Sequence, residues 1–88
     1  MSSISSPESN KDLGRRLQAV RATTGLSQGE FAASLGLSLR AYANYERGER
    51  EMAVAVFRAL FEVHGIDPAW LLVGPGDRPV MAPRRDRC

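Results

Sequence analysis

The sequence predicts an all-α domain of five short helices, and three observations indicate this fold class. Apolar residues recur at helical spacing in several segments, Ser or Asp precedes three of them, and Gly follows where the apolar runs end. Apolar residues three and four apart cover one face of a helix. Ser and Asp side chains cap helix N-termini, and Gly ends helices in the left-handed conformation. At 88 residues the chain is long enough for one such domain.

The composition is ordinary for a globular protein and excludes several classes of function. The net charge is +2, with 43% hydrophobic and 25% charged residues. Because only one Cys (Cys88) and one His (His64) occur, we expect no disulfide framework and no cluster of metal ligands. No run is long enough to span a membrane, and the first residues lack the apolar segment of a signal peptide. We therefore expect a cytoplasmic protein with no metal, no cofactor, no membrane partner and no evident small-molecule ligand.

Arginine dominates the basic residues, with eleven Arg against one Lys. Arg holds phosphates and base edges in a fixed fork of donors, so the excess is compatible with a nucleic-acid partner. A GC-rich coding bias explains the excess equally well.

The first segments predict a flexible arm and an amphipathic helix. Residues 1–10 are Ser-rich and are expected to be flexible, with no basic residue before Lys11. The helix is expected to start at Asn10 or Asp12 and to end near Gly25. Its apolar stripe consists of Leu13, Leu17, Val20 and Thr24. Its outer faces carry Arg15, Arg16 and Gln18.

Two short helices joined by a tight turn are predicted next. Ser27 and Glu30 have the spacing of a capping box, in which each side chain accepts the backbone amide of the other residue. The apolar stripe of this helix is Phe31, Ala32 and Leu35. Gly36 suits the left-handed residue that ends a helix, and Leu37 follows where an apolar contact commonly closes the turn.

The next helix has equally clear boundaries. Ser38 is its expected cap, the helix runs from Leu39 to Arg47, and Gly48 ends it. Two helices separated by three or four residues form a helix-turn-helix.

The second half of the chain predicts two more helices. Residues 51–64 form the fourth, ended by Gly65, and its apolar residues cover roughly half of the circumference, which is more than one small core needs. The fifth, residues 68–73, begins after the expected cap Asp67. It either covers the surplus apolar face in its own subunit or helps to build a dimer interface. The candidate interface residues are Phe57, Phe61, Trp70, Leu71 and Leu72.

Residues 75–88 contain Pro, Gly and Arg without a packing pattern, and they are expected to form a flexible tail. The folded domain is accordingly expected to span residues 11–74.

Five motifs in this order resemble one known family. They are LGRRLQAVR at 13–21, GLSQ at 25–28, LGLS at 35–38, YERG at 45–48 and WLLVG at 70–74. They resemble the phage-repressor (Cro and lambda-repressor-like) helix-turn-helix domains over about two thirds of the chain. The resemblance implies a compact five-helix DNA-binding domain. It also implies a transcriptional regulator, in particular a repressor that binds an inverted-repeat operator through the major groove as a homodimer.

The same resemblance assigns roles to residues of the motif. Arg21 is implied to form a partly buried, structural ion pair with Glu46, and Tyr42 is implied to face inward. The residues implied to contact base edges are Leu39, Arg40, Ala43 and Asn44. The residues implied to contact the DNA backbone are Gln28, Ser27, Ser38, Tyr45, Arg47 and Arg50.

The chemistry of these side chains agrees with the roles and leaves alternatives open. Arg40 can donate in a fork to guanine O6 and N7, and Asn44 can pair with adenine N6 and N7. Leu39 departs from the polar residue often found at its position, but it can contact a thymine methyl group. Arg40 has a phosphate contact as its alternative role. Tyr45 has packing against the first helix as its alternative.

Two other classes of function remain beside the repressor. An antitoxin or a controller-type protein uses the same fold to bind both DNA and a protein partner, and the broad apolar face of the fourth helix is compatible with that. An enzyme is not expected, because no nucleophile, metal or phosphate-loop constellation occurs. A bacterial or phage origin and an association with the nucleoid are expected. His64 is either a pH switch or a core or boundary histidine with one hydrogen bond.

Overall fold

The structure, a computed structural model, describes residues 7–74 and 78–82. Five helices form within this part of the chain. They are α1 (Pro7–Thr24), α2 (Gln28–Ser34), α3 (Leu39–Arg47), α4 (Val54–His64) and α5 (Pro68–Val73). Among the described residues, the β pairing is limited to an isolated antiparallel bridge between Ile66 and Met81. The predicted all-α, five-helix fold is confirmed.

Two helices begin at residues other than those expected. Helix α1 begins at Pro7 rather than at Asn10 or Asp12. Pro is favoured at the start of a helix because a backbone N–H at this position would have no acceptor within the helix, so its absence costs nothing. Helix α4 begins at Val54, three residues later than expected, and its cap residue Ala53 offers no side-chain hydrogen bond. Residues 1–6 of the expected arm lie outside the described residues.

The helix-turn-helix is held by the caps that its sequence predicts. The Ser27 Oγ accepts the amide of Glu30 across 3.1 Å, and the Glu30 carboxylate accepts the amide of Ser27 across 3.0 Å. Gly36 is left-handed, with φ of 75°, and the amide of Leu37 donates to the carbonyl of Ala32 across 2.9 Å. The Ser38 Oγ then accepts the amide of Ala41 across 3.1 Å and starts α3.

All five helices contribute side chains to the core. Helix α1 packs on α3 and α5, α2 packs on α3, and α4 packs on α5. The largest fully buried side chains are Tyr42, Phe31, Leu17, Leu60, Leu71 and Val20. No helix in residues 7–74 is both long enough and apolar enough to cross a membrane.

Residues 78–82 pair with the loop between α4 and α5, although their sequence shows no packing pattern. The amide of Asp67 donates to the carbonyl of Val80 across 2.9 Å, and the amide of Ala82 donates to the carbonyl of Gly65 across 2.7 Å. Backbone hydrogen bonds of this kind depend little on side-chain type, and this is why the sequence did not indicate them.

Candidate nucleic-acid interface

The inner side of α3 is defined by three buried residues, Tyr42, Tyr45 and Glu46. Since successive residues turn by about 100°, the rest of the helix surface carries the residues expected to contact bases. We call Leu39, Arg40, Ala43 and Asn44 together the outer face of α3. The inward position predicted for Tyr42 is confirmed.

The outer face consists of two neighbouring rows, one apolar and one polar. Leu39 is 53% exposed and Ala43, one turn later, is half-buried. Arg40 is exposed and Asn44, one turn later, is half-buried. Residues four apart are neighbours on a helix surface, so the structure brings together the four residues predicted to contact bases. Their contact with DNA stays a prediction.

The N-terminal end of α3 is suited to an anion. Its first turn contains no acidic residue, although the helix dipole would favour one there. The Ser38 hydroxyl accepts a cap hydrogen bond, as does that of Ser27 at α2. An oxygen that accepts still has its own hydrogen to donate. Both hydroxyls can therefore donate to phosphates, in line with the predicted backbone role.

Arg47, a predicted phosphate contact, has two protein partners among the described residues. Its Nη2 donates to the Oδ1 of Asn44 across 2.7 Å, and its Nε lies 3.2 Å from the Oε1 of Glu49. The sequence did not predict that Arg47 contacts a residue of the outer face. Arg47 therefore acts on the orientation of the Asn44 amide.

Tyr45 was expected either to contact the DNA backbone or to pack against the first helix. Tyr45 is buried, and of its two roles the structure shows the packing one. The Arg50 guanidinium lies over the Tyr45 ring, 5.5 Å from the ring centre, while Arg50 itself is exposed. Stacking of this kind holds a guanidinium over a ring face and leaves its N–H groups at the edge.

Gln28 is engaged within the protein. As the first residue of α2, its side-chain amide donates to the Oε1 of Glu46 across 2.8 Å. This hydrogen bond joins α2 to α3 and uses one of the donors that were expected to face a phosphate. The DNA contact of Gln28 stays a prediction. It can use only the side-chain N–H that does not donate to Glu46.

The Glu46 carboxylate is the centre of a buried cluster of four side chains. Arg21 donates to it twice, from Nε across 2.8 Å and from Nη2 across 3.4 Å. The Tyr42 hydroxyl and the Gln28 amide also donate to it. The pair that the resemblance implies between Arg21 and Glu46 is present. The cluster joins α1, α2 and α3.

This cluster shifts the pKa of each of its ionisable members in a direction that its contacts explain. Burial opposes ionisation of Glu46, but the hydrogen bonds from Arg21, Tyr42 and Gln28 outweigh it and lower the pKa of the carboxyl. The hydrogen bond to Glu46 raises the pKa of Arg21. Burial, and then the hydrogen bond to Glu46, raise the pKa of Tyr42. Glu46 is therefore charged and Tyr42 neutral at physiological pH.

Two of the five candidate dimer-interface residues are in the protomer's own core. Trp70 is 2% exposed and Leu71 is 0% exposed, and we correct their assignment to the core. Helix α5 packs on α4, but Phe61 of α4 remains exposed, so α5 covers only part of the surplus apolar face. Phe57 is half-buried against the core. Phe61 and Leu72 are 47% and 54% exposed, so they are the candidates that remain on the surface.

His64 is a boundary residue with one hydrogen bond, as one of its two expected roles required. Its ring stacks on Phe31, with 4.6 Å between centres and 23° between planes. Its Nε2 lies 2.9 Å from the Ser34 Oγ, whose own hydrogen is donated to the carbonyl of Phe31 across 2.6 Å. His64 Nε2 is therefore the donor to Ser34. Burial lowers the pKa of His64.

Two positioning residues were missed in the sequence. A Cβ at Gly14 would lie 2.3 Å from the carbonyl oxygen of Glu46, so this glycine lets α1 approach α3 closely. The sequence signal that could have indicated this close approach is an isolated Gly inside a helical pattern. Arg16, expected on an outer face, donates to the carbonyls of Leu71 and Leu72 across 3.1 and 3.4 Å. Those partners are 55 and 56 residues away, and no local pattern indicates them.

These features define an all-α DNA-binding domain of the phage-repressor type. The chain belongs to the helix-turn-helix domain family, whose model matches residues 12–71. Its structure is similar to the crystal structure of the restriction-modification controller protein C.AhdI from Aeromonas hydrophila, with a TM-score of 0.67 and 29% identity. That match covers 74% of this chain and 94% of the other. The comparison with curated proteins finds no match. The family and the fold place the protein among DNA-binding transcription regulators.

Proposed function

We propose that the protein is a sequence-specific transcriptional repressor that binds an inverted-repeat operator as a homodimer and acts by binding rather than by catalysis. The observation that carries this proposal is the outer face of α3. It presents an exposed Arg40 beside an exposed Leu39 at the N-terminal end of the helix. In helix-turn-helix proteins this end of the second helix contacts base edges in the major groove.

The phosphate contacts are assigned to the groups that surround this face. Ser27 and Ser38 have hydroxyl hydrogens to donate, and Arg47 and Arg50 are exposed. Because phosphate contacts release counterions, the affinity for DNA is expected to fall steeply as salt is raised. A binding series over salt concentration measures this, and an affinity that is independent of salt would contradict the assignment.

The homodimer is supported by apolar side chains that the protomer leaves exposed. One module of this size makes few DNA contacts, and two-fold dimers of helix-turn-helix proteins place half-sites about 34 Å apart. Phe61 and Leu72 are the exposed members of the predicted interface set. We expect Phe61→Glu and Leu72→Glu to shift the protein toward monomer while the fold is kept. The control is Ala22→Glu, an exposed position on α1.

Sedimentation, with circular dichroism to verify folding, tests the dimer. Wild-type protein and the Ala22 variant are expected to be dimeric, and both interface variants monomeric and weaker on the operator. Folded variants that stay dimeric would place the interface elsewhere. A wild-type footprint limited to one half-site at every protein concentration would contradict the dimer.

The effect on transcription needs a separate measurement. A reporter gene whose promoter overlaps the selected operator should be less expressed when the protein is present, because a bound dimer blocks the polymerase. Increased expression would assign an activator instead.

A controller-type regulator is the second candidate, and the similarity to a restriction-modification controller protein favours it. In this case the protein should bind a protein partner in addition to DNA. Copurification of an unrelated protein partner would support this candidate, and purification with no such partner would exclude it.

A further inference from the structure

Leu39 is the large apolar side chain exposed on the outer face of α3. It is the first residue of the helix, directly after the cap Ser38, and 53% of its surface is accessible. A single exposed leucine is ordinary on a protein surface. What distinguishes Leu39 is its place, because the N-terminal end of α3 is the end assigned to the major groove.

Leu39 has an apolar neighbour, Ala43, on one side and a charged neighbour, Arg40, on the other. Ala43 follows one turn later, so Leu39 and Ala43 form a short apolar row. Arg40 is adjacent in sequence, is exposed, and has no hydrogen bond within the described residues. An exposed apolar side chain therefore lies beside a free fork of donors.

The major-groove edges of DNA offer one apolar feature that matches this row. Thymine presents its C5 methyl group there, whereas cytosine presents hydrogen at the same carbon. Cytosine that is methylated at C5 presents the same group as thymine. Guanine presents the O6 and N7 acceptors that the guanidinium of Arg can hold.

We propose that Leu39 contacts the C5 methyl group of a pyrimidine next to the guanine that Arg40 contacts. The protein then distinguishes thymine and 5-methylcytosine from unmethylated cytosine at that position. This inference rests on the proposed function and names the chemical feature that its site recognises. Cytosine methylation of an operator that contains cytosine there would strengthen binding.

The test uses the full-length protein and its selected duplex. Each thymine of a half-site is replaced in turn by uracil, which removes the methyl group and nothing else, and each cytosine is replaced by 5-methylcytosine. Burial of one methyl group predicts that the sensitive position changes affinity about fourfold. Where the selected site has thymine at that position, uracil should weaken binding; where it has cytosine, 5-methylcytosine should strengthen it.

Matched variants identify Leu39 as the contact. Leu39→Ala should reduce the fourfold ratio at the sensitive position to about one, and Leu39→Met, which keeps an apolar side chain of similar length, should retain it. Arg40→Ala should keep the fourfold effect of the methyl group on affinity but lose the preference for guanine. These side chains are exposed, so the fold is expected to persist.

The outcomes separate this inference from the proposed function. A wild-type protein that prefers no duplex over a scrambled one contradicts the proposed function itself. Sequence-specific binding with no methyl-sensitive position contradicts the role of Leu39 alone. The role of Leu39 is also contradicted if the ratio of affinities with and without the methyl group is the same for the wild type and Leu39→Ala.

Discussion

The guanidinium of Arg47 donates to the side-chain oxygen of Asn44 across 2.7 Å. This contact joins a residue expected to hold the DNA backbone to one expected to contact a base. Since the amide oxygen of Asn44 is engaged by Arg47, its NH₂ group is the part directed to other partners. We therefore infer that Arg47 positions Asn44, in addition to its predicted contact with the DNA backbone.

We expect Arg47→Ala to weaken binding to all sequences and also to reduce discrimination at the one base pair that Asn44 contacts. A well-placed side chain contributes about 1–3 kcal/mol of such discrimination. Without the hydrogen bond from Arg47, the Asn44 amide is less well oriented and should lose part of this discrimination. Affinities for all single-base variants of the selected site measure this. Arg50→Ala is the control, because Arg50 lies over Tyr45 instead, and its loss should be uniform. Uniform loss in the Arg47 variant too would remove the positioning role.

The ion pair of Arg21 and Glu46 should contribute much more stability than a surface pair. Its carboxylate side chain is 3% exposed and its guanidinium side chain 27%. Arg21→Met is expected to cost about 3 kcal/mol of unfolding free energy, because a buried charge loses its main partner. Arg15→Met is the control, since the pair of Arg15 with Asp12 is exposed and should contribute at most about 1 kcal/mol. Urea denaturation measures both, and equal losses would contradict the assignment.

Gly14 should not tolerate even one added methyl group. A Cβ there would lie 2.3 Å from the carbonyl oxygen of Glu46 and 2.8 Å from that of Tyr45. Both are backbone atoms, so α1 must move away from α3, and Gly14→Ala is expected to cost about 1–3 kcal/mol or more. Gly29→Ala in α2 is the control, because nothing lies within 4 Å of its Cβ position. It should be neutral or slightly stabilising, and thermal denaturation that ranks the two variants oppositely would contradict this packing.

His64 should make stability depend on pH just below neutrality. Burial lowers its pKa in the folded state below the ordinary value of 6.5. The unfolded chain therefore binds a proton first, and the free energy of unfolding should fall as pH falls through 6.5 and level off below the folded pKa. Glu46, whose pKa is lowered from 4.5, loses its contribution only at a lower pH. Melting temperatures between pH 8 and 5 should show the dependence in the wild type and not in His64→Gln. The same slope in both proteins would exclude His64 as its origin.

The sequence predicted the elements that local signals specify and missed the contacts that tertiary packing decides. The capping box of Ser27 and the left-handed Gly36 depend on residues within one turn, and both occur as predicted. Helix α4 starts at Val54 without a side-chain cap, so no residue type marked its start. The burial of Trp70 depends on how α5 packs against α1 and α4, and the periodicity of six residues does not determine this. The Gln28 contact with Glu46 joins residues 18 apart.

Base recognition by the outer face of α3 is tested most directly at Arg40. The measurement is the affinity of wild type and Arg40→Ala for every single-base variant of a duplex selected from random sequences, with melting temperatures for both proteins. We expect Arg40→Ala to keep its melting temperature and to lose about 1–3 kcal/mol of discrimination at one base pair per half-site, a G·C. A loss of equal size across all variants would show that Arg40 holds a phosphate, and it would contradict base recognition by this residue.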